Sequence, residues 1–111
     1  PSTIEVDPQR IREVLENLIA NALRYTPRDG SIRIKCEPVN QNFSVSISDT
    51  GQGIAAEDLP HIFDRFYKGS DSRGTGLGLA IAKTLITAHG GEVFAESEVG
   101  QGTTIRFTLP Q

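Results

Sequence analysis

Asn17 and Asn21 stand one helical turn apart in the run Asn-Leu-Ile-Ala-Asn. Asparagine is a poor helix former, so two in mid-helix ask for a reason. Their neutral amide oxygens suit Mg²⁺, which prefers oxygen ligands and keeps waters and phosphates in its shell, and they add no charge that repels phosphate. Arg24, a turn further on, can neutralise phosphate charge. At about 100° per residue, Glu13, Asn17, Asn21 and Arg24 share one polar stripe. Viewed alone, that stripe is equally well explained as a solvated helix face.

A second segment, Asp49-Thr50-Gly51-Gln52-Gly53, puts a carboxylate at a strand exit beside two glycines. Asp-x-Gly is also a common plain turn. The chemical alternative is a carboxylate that accepts from an exocyclic amine, with the glycines letting a flat ring approach the backbone. Such a group accepts from the N6 amine of adenine but meets the O6 of guanine as a second acceptor. A third segment, Gly74-Thr75-Gly76-Leu77-Gly78-Leu79, runs into a helix. Glycines there free backbone N–H groups at a positive helix end, where anions bind. A lone glycine triplet would more often mean close packing. The segment is neither a G-x-x-x-x-G-K-[ST] loop nor a dinucleotide fingerprint. Lys68 and Arg73 flank it and would matter if a phosphate tail lay near. In this order the three segments supply what a nucleoside triphosphate needs.

The other chemistry-bearing residues are weaker candidates. Cys36 falls on the apolar side of its strand and is expected in the core, His89 is expected as a cation at a helix C-terminus, and His61 has no partner by spacing. Phe63, Phe66 and Tyr67 read as loop anchors rather than a base-stacking platform.

The elements that must position these groups follow from period and punctuation. Residues 3–6 read as a short strand. Asp7-Pro8 reads as an N-cap with proline at the first helical position. Ile11, Val14, Leu15, Leu18, Ile19, Ala22 and Leu23 then recur at helical spacing, until Pro27 and Asp29-Gly30 make a turn. Ile32, Ile34 and Cys36 alternate with charged residues, and Val45 and Ile47 alternate with serines, which predicts a hairpin about residues 40–42. Residues 56–65 read as a short helix interrupted at Pro60, and residues 68–74 as a mobile polar stretch. Leu77, Ala80, Ile81, Thr84, Leu85 and Ala88 share a face of a second helix that Gly90-Gly91 cap. Residues 92–97 and 103–109 form a closing hairpin. Strands on one side and helices on the other make an α+β sandwich.

With 111 residues, the chain has room for one core. A net charge of −3 argues against a nucleic-acid or anionic-membrane surface. Apolar runs are too short for a membrane span or a signal-peptide core. A single cysteine excludes an intramolecular disulfide and a cysteine metal cluster. The chain opens on Pro1 with no initiator Met, which suggests an excised fragment.

The order and spacing of the segments resemble the catalytic, ATP-binding domain of sensor histidine kinases, in the GHKL superfamily with the Bergerat fold. NLIANALRYTP, DTGQGI, FDRFY and GTGLGL resemble its N, G1, F and G2 boxes, and GQGT from Gly100 its last glycine motif. The resemblance covers essentially the whole chain and implies a mostly antiparallel sheet of about five strands on about three helices, with a mobile ATP lid over roughly residues 55–75. It implies that Asn21 ligates Mg²⁺, that Asn17 supports the phosphate end, and that Arg24, where lysine is commoner, contacts phosphate. Tyr25 would line the nucleotide. Asp49 would bind the adenine amine with Thr103 nearby through water. Gly51, Gly53 and Ile54 would shape the base pocket. Gly74, Gly76, Leu77 and Gly78 would meet phosphates, with lid contacts from Lys68 and Arg73.

In the superfamily's ATPases a glutamate activates water four residues before the metal asparagine. Here that place is Asn17, which cannot act as a base, and Glu13 is one turn too early. The resemblance therefore implies transfer of the γ-phosphoryl of Mg-ATP to a histidine rather than efficient hydrolysis. Neutral imidazole is nucleophilic near neutral pH and needs little activation. Neither His61 nor His89 has the sequence context of the family's acceptor, so a histidine-bearing dimerisation domain is expected upstream. A response regulator is the implied next partner. The domain itself is expected to be a cytoplasmic monomer without membrane contact, in a parent that is membrane-anchored in many relatives. A GHKL ATPase, an anti-sigma-type serine kinase and a degenerate binding domain are the competing readings.

Overall fold

The computed structural model describes residues 5–65 and 78–111. Helix α1 (Pro8–Tyr25) begins as its sequence dictates: the Asp7 carboxylate accepts from the N–H groups of Gln9 and Arg10 at 3.0 and 3.4 Å, and Pro8 takes the first turn. At its other end the Thr26 hydroxyl donates to the Ala22 carbonyl at 2.6 Å before Pro27 stops the helix. Strands β1 (Ile32–Val39) and β2 (Asn42–Asp49) pair antiparallel. Their two-residue turn turns on Asn40, whose φ of 57° asparagine tolerates better than most residues. Helix α2 (Gly78–Ala88) follows, then β3 (Glu92–Glu98) and β4 (Gly102–Pro110). The sheet order is β1-β2-β4-β3, and every pairing is antiparallel.

Helix α2 closes with two reciprocal bonds: Gly90 N–H donates to the Thr87 carbonyl and Gly91 N–H to that of Ile86, both at 3.0 Å. Gly90 sits at φ +79°, where a side chain would be strained, so the Gly90-Gly91 pair ends the helix as its sequence predicts. The core lies between sheet and helices. Val14, Leu18 and Ala22 descend from α1, Ala82 and Ile86 from α2, and Val45, Ile47, Ile105, Phe107 and Leu109 rise from the two central strands. The other face of the sheet carries mostly polar residues, with Phe94 beneath the Arg106 guanidinium, as one face of an antiparallel sheet can.

The α+β sandwich stands, with four strands and two α-helices among the described residues. Of the short strand expected at 3–6, residues 5 and 6 are not strand and the others lie outside the described residues. The helix expected over 56–65 is a series of turns with one 3-10 turn, Leu59–His61, because Pro60 leaves too little chain for a helix on either side. That first part of the expected lid is anchored: Ile62 is 1% exposed and Phe63 packs on the core. The rest of the lid, 66–75, lies outside the described residues.

Three packing expectations need correction. Cys36 is exposed, with Ile34 half-exposed beside it. Both point to the helix side, but β1 is the edge strand and the helices cover its neighbours instead. Leu23, placed on the apolar stripe, is 63% exposed. In α2 the buried residues are Ala80, Ala82 and Ile86, while Ile81, Thr84 and Ala88 are exposed, so its inner face is turned from the expected one.

Candidate functional site

Asp49 and Thr103 are directly opposed across β2 and β4, so both side chains project to the helix side at one end of the sheet. They continue the rows Val45-Ile47 and Phe107-Ile105, and end each apolar row with an oxygen. Asp49 Oδ1 accepts from Gly51 N–H at 2.8 Å, which fixes the carboxylate against its own loop. Gly51 is buried, and a Cβ there would overlap the Tyr25 carbonyl oxygen and come to 2.9 Å of Asp49 Oδ1. The last residue of α1 and the loop after β2 are thus in contact through a position only glycine fills.

The same loop rests on the β3–β4 turn. Gly53 has φ +79°, and a Cβ there would overlap the Glu98 carbonyl. Gly100 N–H donates to the Gln52 carbonyl at 2.9 Å, and Ile54 N–H to the Ser97 hydroxyl at 2.7 Å. Thr50 ties the loop to the start of β1: its hydroxyl accepts from Ser31 N–H at 2.8 Å. Gly102, at φ +129°, lies where a Cβ would overlap the Asp49 carbonyl. The glycines of the two motifs therefore fit one another, and Asp49 is held from three sides.

The second half of the site is built on α1. Asn17, Asn21 and Arg24 are each partly buried. Asn17 lies against the first residue of α2: the nearest atom to a Cβ at Gly78 would be Asn17 Oδ1, at 3.7 Å. Its Nδ2 is buried with no hydrogen-bond partner among the described residues. Buried polar groups are nearly always paired, so an orphan beside a helix N-terminus is a functional signal. Glu13 is drawn away to Arg10, with Oε1 3.3 Å from Nη1. Among the described residues no group of three His, Cys, Asp or Glu side chains could hold a metal ion. The amide oxygens at this end fit a Mg²⁺ that arrives with phosphate oxygens, since such an ion needs few protein ligands.

Asn17 and Gly78 thus meet at the α1–α2 contact, Asn21 and Arg24 continue the same stripe of α1, and Tyr25, Asp49, Gly51, Gly53, Ile54 and Thr103 lie at the end of the sheet. The Gly51–Tyr25 contact joins the two groups. Lys68, Arg73, Gly74, Gly76 and Leu77 lie outside the described residues.

Sequence reasoning missed Ser97, which touches Ile54, Gly102 and Thr103 at once. The signal was present: it is a polar residue at an inward position, in register with Val93 and Ala95. His61 has a partner after all, with Nδ1 3.1 Å from Asp64 Oδ2 on an exposed turn. His89 is not poised as a free helix-end cation. Its Nδ1 lies 2.8 Å from the Leu85 carbonyl, and its Nε2 accepts the Asp7 N–H at 3.2 Å. A ring that donates at one nitrogen and accepts at the other is neutral.

A family model described as histidine kinase-, DNA gyrase B-, and HSP90-like ATPase matches residues 6–111. Sensor histidine kinase WalK of Bacillus subtilis (strain 168) is 45% identical over 96% of this chain, which spans 19% of WalK. Adaptive-response sensory kinase SasA of Synechococcus elongatus is 42% identical over 97% of the chain, which spans 29% of SasA. Among solved structures, full-length ShkA in complex with AMPPNP superposes with a TM-score of 0.88 at 34% identity, covering 99% of this chain and 23% of that one. The catalytic domain of histidine kinase ThkA, in a nucleotide-free form, gives 0.85 at 35% identity, covering 96% of this chain and 70% of that one. The chain spans less than a third of either curated relative.

Proposed function

The chain belongs to the histidine kinase-, DNA gyrase B-, and HSP90-like ATPase family, and from that premise we propose that it binds Mg-ATP and transfers the γ-phosphoryl group to a histidine on a separate dimerisation domain. Asp49 accepts the adenine amine, with Thr103 beside it. Gly51, Gly53 and Ile54 form the wall against the base, and Tyr25 lines the nucleotide. Asn21 ligates Mg²⁺, which supplies charge neutralisation between the phosphates. Asn17 and Arg24 support the phosphate end, with Gly78 and the outlying Gly74, Gly76 and Leu77 offering backbone N–H groups. Lys68 and Arg73, outside the described residues, are the lid residues assigned to the phosphates in this reading. The nucleotide held by ShkA supports an ATP site in a close structural relative.

The observation that carries transfer rather than hydrolysis is the neutral pair Asn17 and Asn21, with Glu13 engaged by Arg10. Among the described residues no carboxylate is set there to take a proton from water. An incoming imidazole brings its own nucleophilic nitrogen. Its N–P bond forms as the bond from the γ-phosphorus to the bridging oxygen breaks, ADP leaves, and the other ring nitrogen releases its proton to solvent. The phosphohistidine would then serve an aspartate of a response regulator. In this reading residues 1–111 are one catalytic unit whose acceptor histidine lies elsewhere. No described helix is long and apolar enough to cross a membrane.

The test is a calorimetric titration with AMPPNP, with and without Mg²⁺, and with the guanine analogue as control. A transfer assay to a separately supplied histidine-bearing helical domain follows. Adenine-selective, Mg²⁺-sensitive binding with acid-labile label on the acceptor is expected. Steady phosphate release without label on the acceptor would turn the assignment to an ATPase.

A further inference from the structure

The hydroxyl of Ser97 has three neighbours and one hydrogen. It lies 2.7 Å from Ile54 N–H, 2.9 Å from the Gly102 carbonyl and 2.8 Å from Thr103 Oγ1. A carbonyl can only accept, so the serine hydrogen goes to Gly102. The Ile54 N–H can only donate, so it takes one serine lone pair. One lone pair remains for Thr103, and Thr103 must be the donor. Its hydroxyl hydrogen is therefore committed to Ser97, away from Asp49. Thr103 is 7% exposed, and its oxygen retains only acceptor capacity. Its cross-strand partner Asp49 is acceptor-only when ionised and is already fixed by Gly51 N–H.

We propose that Ser97 is a specificity-determining positioning residue: it holds Thr103 as an acceptor beside Asp49, so the base end of the site takes a purine with an amino group, not an oxo group, at its six position. The inference rests on the reading that a purine lies against Asp49. It adds that discrimination belongs to a four-member relay, Ile54–Ser97–Thr103 with Asp49, rather than to the carboxylate alone. If Ser97 loses its oxygen, the Thr103 hydroxyl turns and can donate to an oxo group. A site built only of acceptors disfavours an oxo group because that oxygen finds no donor there.

The test compares ATP with ITP, which carries the oxo group at the six position, by calorimetry on the whole chain. Wild type should prefer ATP. Ser97→Ala should reduce the ATP-to-ITP affinity ratio about three- to tenfold, the size of one hydrogen bond. Ser97→Thr, which keeps the oxygen, should restore it. Thr103→Val should reduce the ratio by a similar factor, and the double variant should go no further. Should Ser97→Ala fail to fold, Ser97→Cys keeps a polar group of similar shape, slightly larger, and weakens the acceptor. Equal loss for both nucleotides in Ser97→Ala would make Ser97 a structural residue and overturn the proposal. A wild type without preference, or an Asp49→Ala variant with normal ATP affinity, would overturn the purine reading itself.

Discussion

The backbone N–H of Asp7 donates to Nε2 of His89 at 3.2 Å, across 82 residues of sequence. Asp7 caps the start of α1 and His89 follows the end of α2, so the bond joins the two helices at one end of their antiparallel contact. At the opposite end Asn17 meets Gly78. One imidazole thus ties the start of α1 to the end of α2, at the end of their contact opposite the amide pair. Ten residues of helix, about 15 Å, separate the tie from the site.

Replacing that ring with one of similar shape tests the tie. His89→Phe should lower unfolding free energy by about 1 kcal/mol, the worth of a hydrogen bond, in chemical denaturation. Amide exchange at Asp7 should accelerate in the same variant. Nitrogen NMR on the wild type should find the Nδ1–H tautomer, and an Nε2–H signal would refute the assignment.

Asp49→Ala removes the acceptor proposed for the base and the one that holds Gly51 N–H at 2.8 Å. The fold should survive with a loss of about 1 kcal/mol, because the loop keeps its ties through Thr50, Gln52 and Ile54. ATP affinity should fall at least tenfold, the order expected when a charge-assisted hydrogen bond is lost. Calorimetry beside a thermal melt separates the two effects, and near-normal affinity would sink the adenine assignment.

Asn21→Ala should leave metal-free nucleotide binding nearly intact while removing its Mg²⁺ enhancement. Asn21 is partly buried and lies outside the core cluster, so the fold should survive its loss. Titrations in Mg²⁺ and in chelator measure the difference directly. An unchanged Mg²⁺ effect would move the metal to other ligands.

Much of this architecture was legible in local signals. Asp7-Pro8, Gly90-Gly91 and Asn40 each carry a backbone requirement that names its own position, so the start of α1, the end of α2 and the first hairpin fell where expected. What alternation cannot state is whether anything covers a face. Ile34 and Cys36 point inward, yet β1 is an edge strand and leaves them exposed. In α2, apolar residues stand on more than one face (Leu79, Ala80, Ile81, Ala82, Leu85, Ile86), so the period alone did not choose between neighbouring faces. The site's motifs were readable as motifs, but their mutual fit was not. Gly53 against Glu98 joins a loop to a strand and Ser97 against Thr103 joins two strands, and nothing in the local run of residues announces either contact.

Gly51 and Gly78 are both glycines of the nucleotide motifs, and the structure sets them apart. A Cβ at Gly51 would overlap the Tyr25 carbonyl, a backbone atom that cannot step aside. Gly51→Ala should therefore cost about 1–3 kcal/mol of stability whatever the ligand. A Cβ at Gly78 would meet Asn17 Oδ1 at 3.7 Å, an ordinary contact, and α2 gives it no positive φ to tolerate. Alanine is the better helix residue, so Gly78→Ala should leave stability unchanged or raise it by up to about 1 kcal/mol. If the glycine serves a phosphate that comes close to the backbone, the same substitution should weaken ATP binding several-fold. Parallel melts and titrations of the two variants decide this: a Gly78→Ala protein that is as stable as wild type and binds ATP as tightly would remove Gly78 from the phosphate site.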